Sequence, residues 1–173
     1  MKAFERRSKI LKQLEKADEP ISASALASAA GVSRQIVVGD IALLRASGAS
    51  IISTPRGYVL ETSEESHPGH VMKIACRHSA EKMVEELQIC VDNGCQVLDV
   101  IVEHPVYGQL TGILKISSRY DIEQFEAKVA SSEAHALSEL TDGVHLHTLI
   151  CPSIGAYERV CAKLREKGIL LKE

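Results

Sequence analysis

Apolar residues recur at helical spacing in three short stretches near the start of the chain. These stretches cover about residues 4–16, 22–30 and 33–48. Ser22 and Ser33 are favourable N-cap residues for the second and third stretches, and Gly31 suits the turn between them. Gly48 is a natural stop for the third stretch. The pattern therefore predicts three helices, of which the last two form a helix-turn-helix.

A short β-hairpin is predicted directly after the third helix. Residues 51–59 are rich in β-prone residues and carry Pro55, Arg56 and Gly57 at a tight turn. A hairpin in this place is a wing, with Arg56 at its tip. Residues 32–60 resemble the winged-helix heads of biotin-repressor-type regulators. The resemblance implies that this part of the chain binds double-stranded operator DNA.

The start of the third helix is the expected reading element, because this part of a helix-turn-helix enters the major groove. We expect DNA contacts from Ser33, Arg34, Gln35 and Val38 on this helix, and from Arg56 on the wing. Arginine suits phosphate or a guanine edge, and glutamine suits an adenine edge. Winged helices also dock proteins, which is the alternative. The mid-helix Gly39 fits close approach to another surface, whereas Asp40 does not fit a phosphate-binding face.

Residues 70–173 alternate between strand and helix patterns. The predicted elements are a strand at 71–76, a helix at 79–93, strands at 96–103 and 108–116, a helix at 121–130, a strand at 143–150, a helix at 153–167 and a strand at 169–171. This order contains the split β-α-β unit of ferredoxin-like folds. We therefore predict an α+β protein. A winged helix-turn-helix domain at 1–62 precedes a ferredoxin-like α/β sandwich at 68–173, with a mostly antiparallel sheet and helices on one face.

Charge is divided unevenly between the two predicted domains. Residues 1–60 hold nine Lys or Arg against five Asp or Glu, and residues 61–173 hold eleven against eighteen. The basic N-terminal part is therefore the expected partner of a polyanion. No apolar run approaches the ~20 residues of a membrane span, and the N-terminus does not resemble a signal peptide. Five cysteines without a Cys-x-x-Cys pair indicate reduced thiols, so we expect a cytoplasmic protein with no membrane association.

Two histidines stand two residues apart in the predicted strand at 143–150. Side chains at this spacing project from one face, so His145 and His147 lie roughly 7 Å apart at Cα and can converge on one divalent ion. The alternative is a half-buried strand whose polar face carries two histidines. Glu86, at the border of a buried helix face, is a candidate partner. His78 precedes that helix and reaches the same ion only if the chain folds back; alone it would be a surface histidine.

Three short motifs resemble the signature of the 3H domain, which follows a winged helix in a family of NAD-biosynthesis repressors. They are His78-Ser79 followed by Glu86, Val102-Glu103-His104-Pro105-Val106-Tyr107-Gly108, and Leu140-Thr141-Asp142-Gly143-Val144-His145-Leu146-His147-Thr148. The resemblance covers essentially the whole chain, and Ala136 and Glu139 depart from it in a loop. It implies nicotinic acid as co-repressor and a divalent metal bound by His78, Glu86, His145 and His147. Three imidazoles and a carboxylate suit Ni, Zn or Fe(II).

These observations lead to one expected function and two alternatives. We expect a homodimeric transcriptional repressor that responds to nicotinic acid, or a related pyridine carboxylate, and controls NAD biosynthesis or niacin uptake genes. His104 and Tyr107 are expected to line the effector pocket, although a strand-end histidine and a core tyrosine are equally compatible with the sequence. The alternatives are a metal-responsive regulator and a metal-dependent hydrolase fused to a DNA-binding head. The chain shows no motif for a nucleophile or a paired general base, so we predict that it is not an enzyme.

Overall fold

The computed structural model describes residues 2–61, 68–132 and 135–171. The chain divides into two compact units, residues 1–65 and 66–173. The division falls within the segment 62–67, which lies outside the described residues. Each unit has its own cluster of buried apolar side chains.

The N-terminal unit contains three helices and a hairpin, as the sequence pattern predicts. In chain order these are α1 (Ala3–Glu15), α2 (Ala23–Ala30), α3 (Arg34–Ala46), β1 (Ile51–Thr54) and β2 (Gly57–Leu60). The side chain of Ser22 caps α2 at 3.1 Å from the Ala25 N–H, and that of Ser33 caps α3 at 3.3 Å from the Ile36 N–H. Gly31 ends α2 with a φ of 64°. Local signals in the sequence therefore specify these helices.

The core of this unit lies between the three helices and the hairpin. Its buried members are Ile10, Leu14, Leu26, Ala27, Val37, Ile41, Leu44 and Ile51. β1 and β2 pair antiparallel, and a bridge from Ile21 to Tyr58 joins the segment before α2 to the hairpin. Gly57, at φ +145°, lies so close to the Ile21 backbone that a Cβ would overlap it. The wing is therefore fixed to the rest of the unit through its second strand.

Asp40 belongs to the interior of the N-terminal unit. Its side chain is only 4% exposed, and its carboxylate accepts two hydrogen bonds from the Arg6 guanidinium. The Arg7 guanidinium lies 3.7 Å away. These contacts join α3 to α1, which explains why an aspartate is tolerated in a helix that otherwise suits DNA. The reason lies in the packing of two helices and is absent from the local sequence pattern.

The C-terminal unit is a four-stranded sheet with three helices. Its elements are β3 (His70–Arg77), α4 (Met83–Asp92), β4 (Gln96–His104), β5 (Gly108–Ile116), α5 (Arg119–Ser131), β6 (Val144–Cys151) and α6 (Ile154–Glu166). Short 3-10 helices precede α4 and β6, at Ala80–Lys82 and Leu137–Thr141. The strand order is β3-β6-β4-β5, and every neighbouring pair is antiparallel. This confirms the predicted α+β fold with a mostly antiparallel sheet.

The strand order differs from the predicted ferredoxin-like arrangement, and this part of the fold prediction is corrected. β3 and β4, which α4 connects, run parallel because each pairs antiparallel with β6 between them. A split β-α-β unit is therefore present. In the ferredoxin-like order, β5 would separate these two strands. Here the last strand separates them, which places the histidines of β6 inside the sheet and not at its edge.

Three local predictions in this unit need correction. The predicted strand at 169–171 is wrong, since only an isolated bridge forms there, from Leu170 to Cys76. The helix predicted from Ser79 begins as a 3-10 turn, and the Ser79 side chain makes no capping hydrogen bond. α5 begins before residue 121, because Ser118 and Asp121 form a reciprocal capping box at its N-terminus.

The three helices of this unit pack against one face of the sheet and share its core. The buried members of this core are Ile74, Cys76, Leu87, Cys90, Cys95, Val97, Leu114, Ile116, Ile122, Leu149, Cys151, Ala156, Val160, Leu164 and Ile169. Side chains two apart on a strand share a face, so His145 and His147 lie on the same face as Leu149 and Cys151. Both histidines are therefore directed to the helix layer.

None of the described helices is by itself long and apolar enough to cross a membrane. α2 and α3 reach the length and apolar composition of a span only together, and a bend of 102° separates them. In the N-terminal unit both helices contribute to the core, through Leu26 and Ile41 among others.

Candidate metal centre and nucleic-acid interface

The structure brings the four predicted metal ligands together. On β6, His145 and His147 stand opposite Cys76 and Ile74 of β3. Glu86 reaches the same place from α4. The Nε2 atoms of the three histidines surround one oxygen of this carboxylate, at 2.6 Å for His78, 3.2 Å for His145 and 3.4 Å for His147.

The other ring nitrogen of each histidine is held by a backbone carbonyl. Nδ1 lies 2.7 Å from Ser79 O in His78, 2.8 Å from Gly143 O in His145 and 2.6 Å from Asp99 O in His147. A carbonyl oxygen only accepts hydrogen bonds, so each Nδ1 donates and carries a proton. In a neutral imidazole the lone pair is then on Nε2. Two acceptors would repel at the 2.6 Å that separates His78 Nε2 from Glu86, so the cluster needs a cation between these atoms, either a proton or a metal ion.

The Nε2 atom of His147 adds to the evidence on what this cluster can hold. This atom is buried, and although it lies 3.4 Å from the Glu86 carboxylate it makes no hydrogen bond of normal geometry. Burial of a polar atom without a partner is unfavourable, and it is uncommon in folded proteins. Three imidazoles and one carboxylate are the donor types that divalent transition metals take. These residues therefore fit such a metal.

Charges within the cluster shift the pKa values of its members. Burial raises the pKa of Glu86, but its contacts with the three histidines outweigh burial and hold that pKa well below the usual range. Burial lowers the pKa of His147, and the neighbouring carboxylate reverses this and raises the pKa above its usual value. Burial also lowers the pKa of His78, but the Glu86 carboxylate outweighs burial, and the pKa is raised. Protons and a metal ion compete for such a site, so metal uptake should release protons.

The position of His78 depends on a close approach to Gly143. His78 follows β3 in an irregular segment and donates its backbone N–H to the Gly143 carbonyl at 3.4 Å. Gly143 has a φ of +85°, and a Cβ there would overlap the carbonyl of His78. This segment folds back onto Glu86, eight residues later, as the sequence requires for a shared ion. A side chain at position 143 would displace it.

The centre is closed to solvent. The side chains of the four candidate ligands are 1–4% exposed. Structural metal sites commonly have four protein ligands and no open position, whereas catalytic sites keep one position for water or substrate. The low exposure of these side chains is therefore a feature that the cluster shares with structural metal sites.

Two residues close to the centre were missed by the sequence interpretation. Asp99 lies at an irregularity in the pairing of β4, where its carbonyl accepts from His147 and its side chain accepts the Thr148 N–H at 2.9 Å. The sequence does contain one sign of this role, because Asp99 is a charged residue within an otherwise apolar strand. The Cys76 sulfur lies within 4.8 Å of ligand atoms of Glu86 and His145. Nothing in its spacing indicates this.

A groove of about 580 Å³ lies next to His78. Its lining residues are Arg77, His78, Ser79, Ala80, Ser138, Glu139, Asp142 and Gly143. The predicted effector residues are elsewhere, around the turn between β4 and β5. There the Tyr107 ring is 4.9 Å from the His104 ring, and Tyr107 is 74% exposed. Neither lines the groove, and their role in effector binding stays a prediction.

The predicted DNA-contacting residues of α3 lie on its outer surface. Ser33, Arg34 and Gln35 are exposed and Val38 is half-buried. Gly39 is exposed, and a Cβ there would meet nothing within 4 Å. The first turns of α3 are thus open to a docking surface, as the reading helix of a helix-turn-helix requires.

The wing is joined to α3 by an arginine. The Arg45 guanidinium donates to the Ile51 carbonyl and to the Ser53 hydroxyl, both at 2.8 Å, and lies over the Tyr58 ring at 5.8 Å. The relative placement of α3 and the hairpin therefore does not depend on the short turn alone.

Both parts of the chain match known families. A 3H domain family matches residues 71–173, and an HTH domain family matches residues 6–59. The chain is 43% identical to the transcription repressor NadR of Bacillus subtilis over 169 residues, which are 97% of this chain and 94% of that protein. It is 41% identical to the probable transcription repressor NiaR of Thermotoga maritima over 169 residues, or 98% and 95% of the two chains. The chain belongs to this family of 3H-domain transcription repressors.

Membership of the 3H-domain repressors confirms the coarse function predicted from the sequence. The chain is a transcription repressor with a DNA-binding helix-turn-helix domain, and its relatives are not enzymes. The predicted absence of enzymatic activity is therefore confirmed by the family, and the hydrolase alternative is set aside.

In this 3H-domain repressor the predicted wing contact already has a partner within the chain. The Arg56 guanidinium lies 2.9 Å from the Glu19 carboxylate, which belongs to the loop between α1 and α2. Both side chains are partly exposed, so the pair is accessible to a competing phosphate. DNA binding through Arg56 would exchange this carboxylate for a phosphate.

Removal of the competing charge should strengthen DNA binding. Exposed ion pairs contribute about 0–1 kcal/mol, so Glu19→Gln is expected to tighten operator binding by up to about 5-fold at low salt. Asp18→Asn is the matched control, because it removes the same charge from the neighbouring position. Titration of labelled operator with both variants measures the difference. Equal tightening by the two variants would show a general charge effect and contradict the exchange.

Proposed function

We propose that this repressor is a cytoplasmic homodimer that controls genes of NAD biosynthesis or niacin uptake. Its winged helix binds operator DNA, and nicotinic acid or a related pyridine carboxylate acts as co-repressor. A divalent transition metal is held by His78, Glu86, His145 and His147. The likeness to the 3H-domain repressors supports the regulated genes and the effector, and the geometry of the cluster supports the metal.

The orientation of the three imidazoles is the observation that carries the metal proposal. Each Nδ1 proton is directed to a backbone carbonyl, so each Nε2 is left to face Glu86. Hydrogen bonds of this kind fix the tautomer of metal-binding histidines. Histidines that only stabilised the fold would not need the same orientation, with Nδ1 on a backbone carbonyl and Nε2 on Glu86, in all three rings.

When bound, the metal supplies a positive charge that replaces protons between the histidines and the carboxylate. The residues of the chain then act as links between elements. Through its ligands the ion would connect three parts of the unit: α4 through Glu86, β6 through His145 and His147, and the segment after β3 through His78. The expected result is a C-terminal unit in which this segment is rigid.

The groove beside His78 supports a site for the effector. One wall is formed by residues 77–80, which include a metal ligand, and the other by residues of 138–143. Ordering of the loop from Ser132 to Gly143 by the effector is part of the proposal; residues 133–134 of that loop lie outside the described residues. The Arg77 guanidinium suits a pyridine carboxylate, because it can donate two parallel hydrogen bonds to it.

The effector and the operator should strengthen each other's binding by the same factor. A ligand favours the DNA-binding state only if it binds that state more tightly, and the coupling is reciprocal. The expected factor is about 5- to 150-fold. Calorimetry of nicotinate binding with and without operator gives one value, and operator titration with and without nicotinate gives the other. Unequal factors, or a full nicotinate response after metal removal, would contradict the mechanism.

Calorimetry of two β3 variants tests whether nicotinate binds in the groove beside His78. Arg77→Gln is expected to weaken nicotinate binding while leaving metal content unchanged. Lys73→Gln removes the same charge from the same strand and the same face, four residues earlier, and should leave nicotinate binding intact. Equal effects of the two substitutions would count against the groove as the effector site.

The closure of the centre favours a second candidate, a metal-responsive repressor in which the ion itself is the effector. Ligand side chains that are 1–4% exposed leave a pyridine carboxylate no direct access to the ion in this conformation. Titration of operator binding with metal at fixed nicotinate, and with nicotinate at fixed metal, separates the two functions.

A further inference from the structure

Two buried cysteines meet at the end of the sheet away from the metal centre. The sulfur atoms of Cys95 and Cys151 are 2.8 Å apart, and both side chains are almost fully buried. Non-bonded heavy atoms normally rest about 3.5–4.0 Å apart. The two sulfurs are therefore closer than ordinary packing requires, and both are free thiols.

The register of the two strands places the pair where a cross-strand disulfide can form. Gln96 of β4 stands directly opposite Ile150 of β6, so Cys95 and Cys151 are the next facing positions of these antiparallel strands. Facing residues of antiparallel strands have Cα atoms about 4.5–5.5 Å apart. Disulfides form between cysteines whose Cα atoms are about 4.4–6.8 Å apart. A bond between the two sulfurs needs only a small movement of the side chains.

We propose that Cys95 and Cys151 are an oxidisable pair that a hydroperoxide converts into a disulfide. One thiolate attacks the O–O bond of hydrogen peroxide, forms a sulfenic acid and releases hydroxide, which becomes water with the thiol proton. The second sulfur then attacks the sulfenic sulfur, and its proton leaves with the hydroxyl group as a second water. The two thiols lose two electrons, and one peroxide is reduced to two molecules of water.

The bond would lock β4 to β6 beside the irregular part of their pairing. These strands pair at Gln96 and Val97, lose register, and pair again at Ile101. Asp99, which accepts the Nδ1 hydrogen bond of His147, lies inside this interval. A covalent link next to it restricts opening of the strand pair that supports this histidine. It also closes a long loop of the chain, which stabilises the folded state relative to the unfolded one.

The test is oxidation of the reduced, full-length repressor with hydrogen peroxide, followed by mass spectrometry. Because both thiols are buried, the reaction should follow local opening and be slow. We expect a loss of about 2 Da per chain and a single linked peptide pair that contains Cys95 and Cys151. The thermal transition of the C-terminal unit should rise by about 10 °C or more and return after reduction.

Matched variants separate this pair from the other thiols. Cys161→Ser alters the partly exposed cysteine and should leave both the linkage and the thermal shift in place. Cys95→Ser and Cys151→Ser should abolish both. If either variant does not fold, peptide mapping of the oxidised wild-type chain still decides the question. A linkage through Cys90 or Cys161, a gain of oxygen atoms without a linkage, or unchanged thiols at positions 95 and 151 would overturn the proposal.

Discussion

Alanine in place of His147 is expected to remove the metal from the purified repressor, from about one ion per chain to less than about a tenth. The substitution deletes one of four donors and opens a buried site to water. The three remaining ligands therefore bind the metal more weakly and no longer enclose it. His145→Ala should act in the same way. Elemental analysis of the folded variants is the measurement. The metal-loaded wild type should also melt higher than the chelated protein, since a ligand at 100 times its dissociation constant stabilises by ~2.7 kcal/mol.

The control for the metal experiment is a histidine of the same sheet that lies away from the centre. His70 is exposed at the start of β3, so His70→Ala should keep the metal and the response to chelator. Wild-type metal content in a folded His145→Ala/His147→Ala double variant would contradict the centre.

Arg34→Ala is expected to weaken operator binding by ~1–3 kcal/mol, or about 5- to 150-fold, if Arg34 reads a base. The residue is exposed in the first turn of α3, the part of a helix-turn-helix that reaches base edges. Arg56→Ala should weaken specific and non-specific binding more evenly and should flatten the salt dependence, because a wing contact to phosphate carries no sequence information. Competition titrations with operator and unrelated DNA at several salt concentrations separate the two behaviours.

A lysine on another helix serves as the control for charge. Lys12 is exposed on α1, and Lys12→Ala removes one positive charge without touching α3. This variant should retain specific binding. Footprints of the wild type should show two half-sites about one helical turn apart, or a multiple of that, as a two-fold dimer requires. An intact footprint from Arg34→Ala would count against α3 as the reading helix.

Helices with local capping signals were predicted closely. Ser22 and Ser33 cap α2 and α3 as expected, and Ser153 caps α6 by accepting from the Ala156 N–H at 3.1 Å. Capping depends on residues within one turn, so the sequence contains all the information needed. Ser79 has the same residue type in a similar context but makes no capping hydrogen bond, because the chain there starts with a 3-10 turn.

Features that depend on distant contacts could not be predicted. Asp40 does not suit a DNA-binding helix by residue type, and its place in α3 is explained by its contact with Arg6 of α1. The predicted last strand is reduced to one bridge between Leu170 and Cys76. The position of β6 between β3 and β4 is also a property of the whole sheet. In each case the deciding partner is far away in the chain, and local spacing carries no record of it.

The candidate metal centre is likewise specified partly by local residue spacing and partly by the folded chain. The two-residue period of a strand by itself places His145 and His147 on one face, and helical spacing places Glu86 at the border of a buried face. Only the folded chain directs all three Nε2 atoms to that carboxylate. The acceptors that orient the rings are backbone carbonyls of Ser79, Gly143 and Asp99. Their positions follow from strand pairing, a left-handed glycine and a strand irregularity, which residue spacing cannot specify.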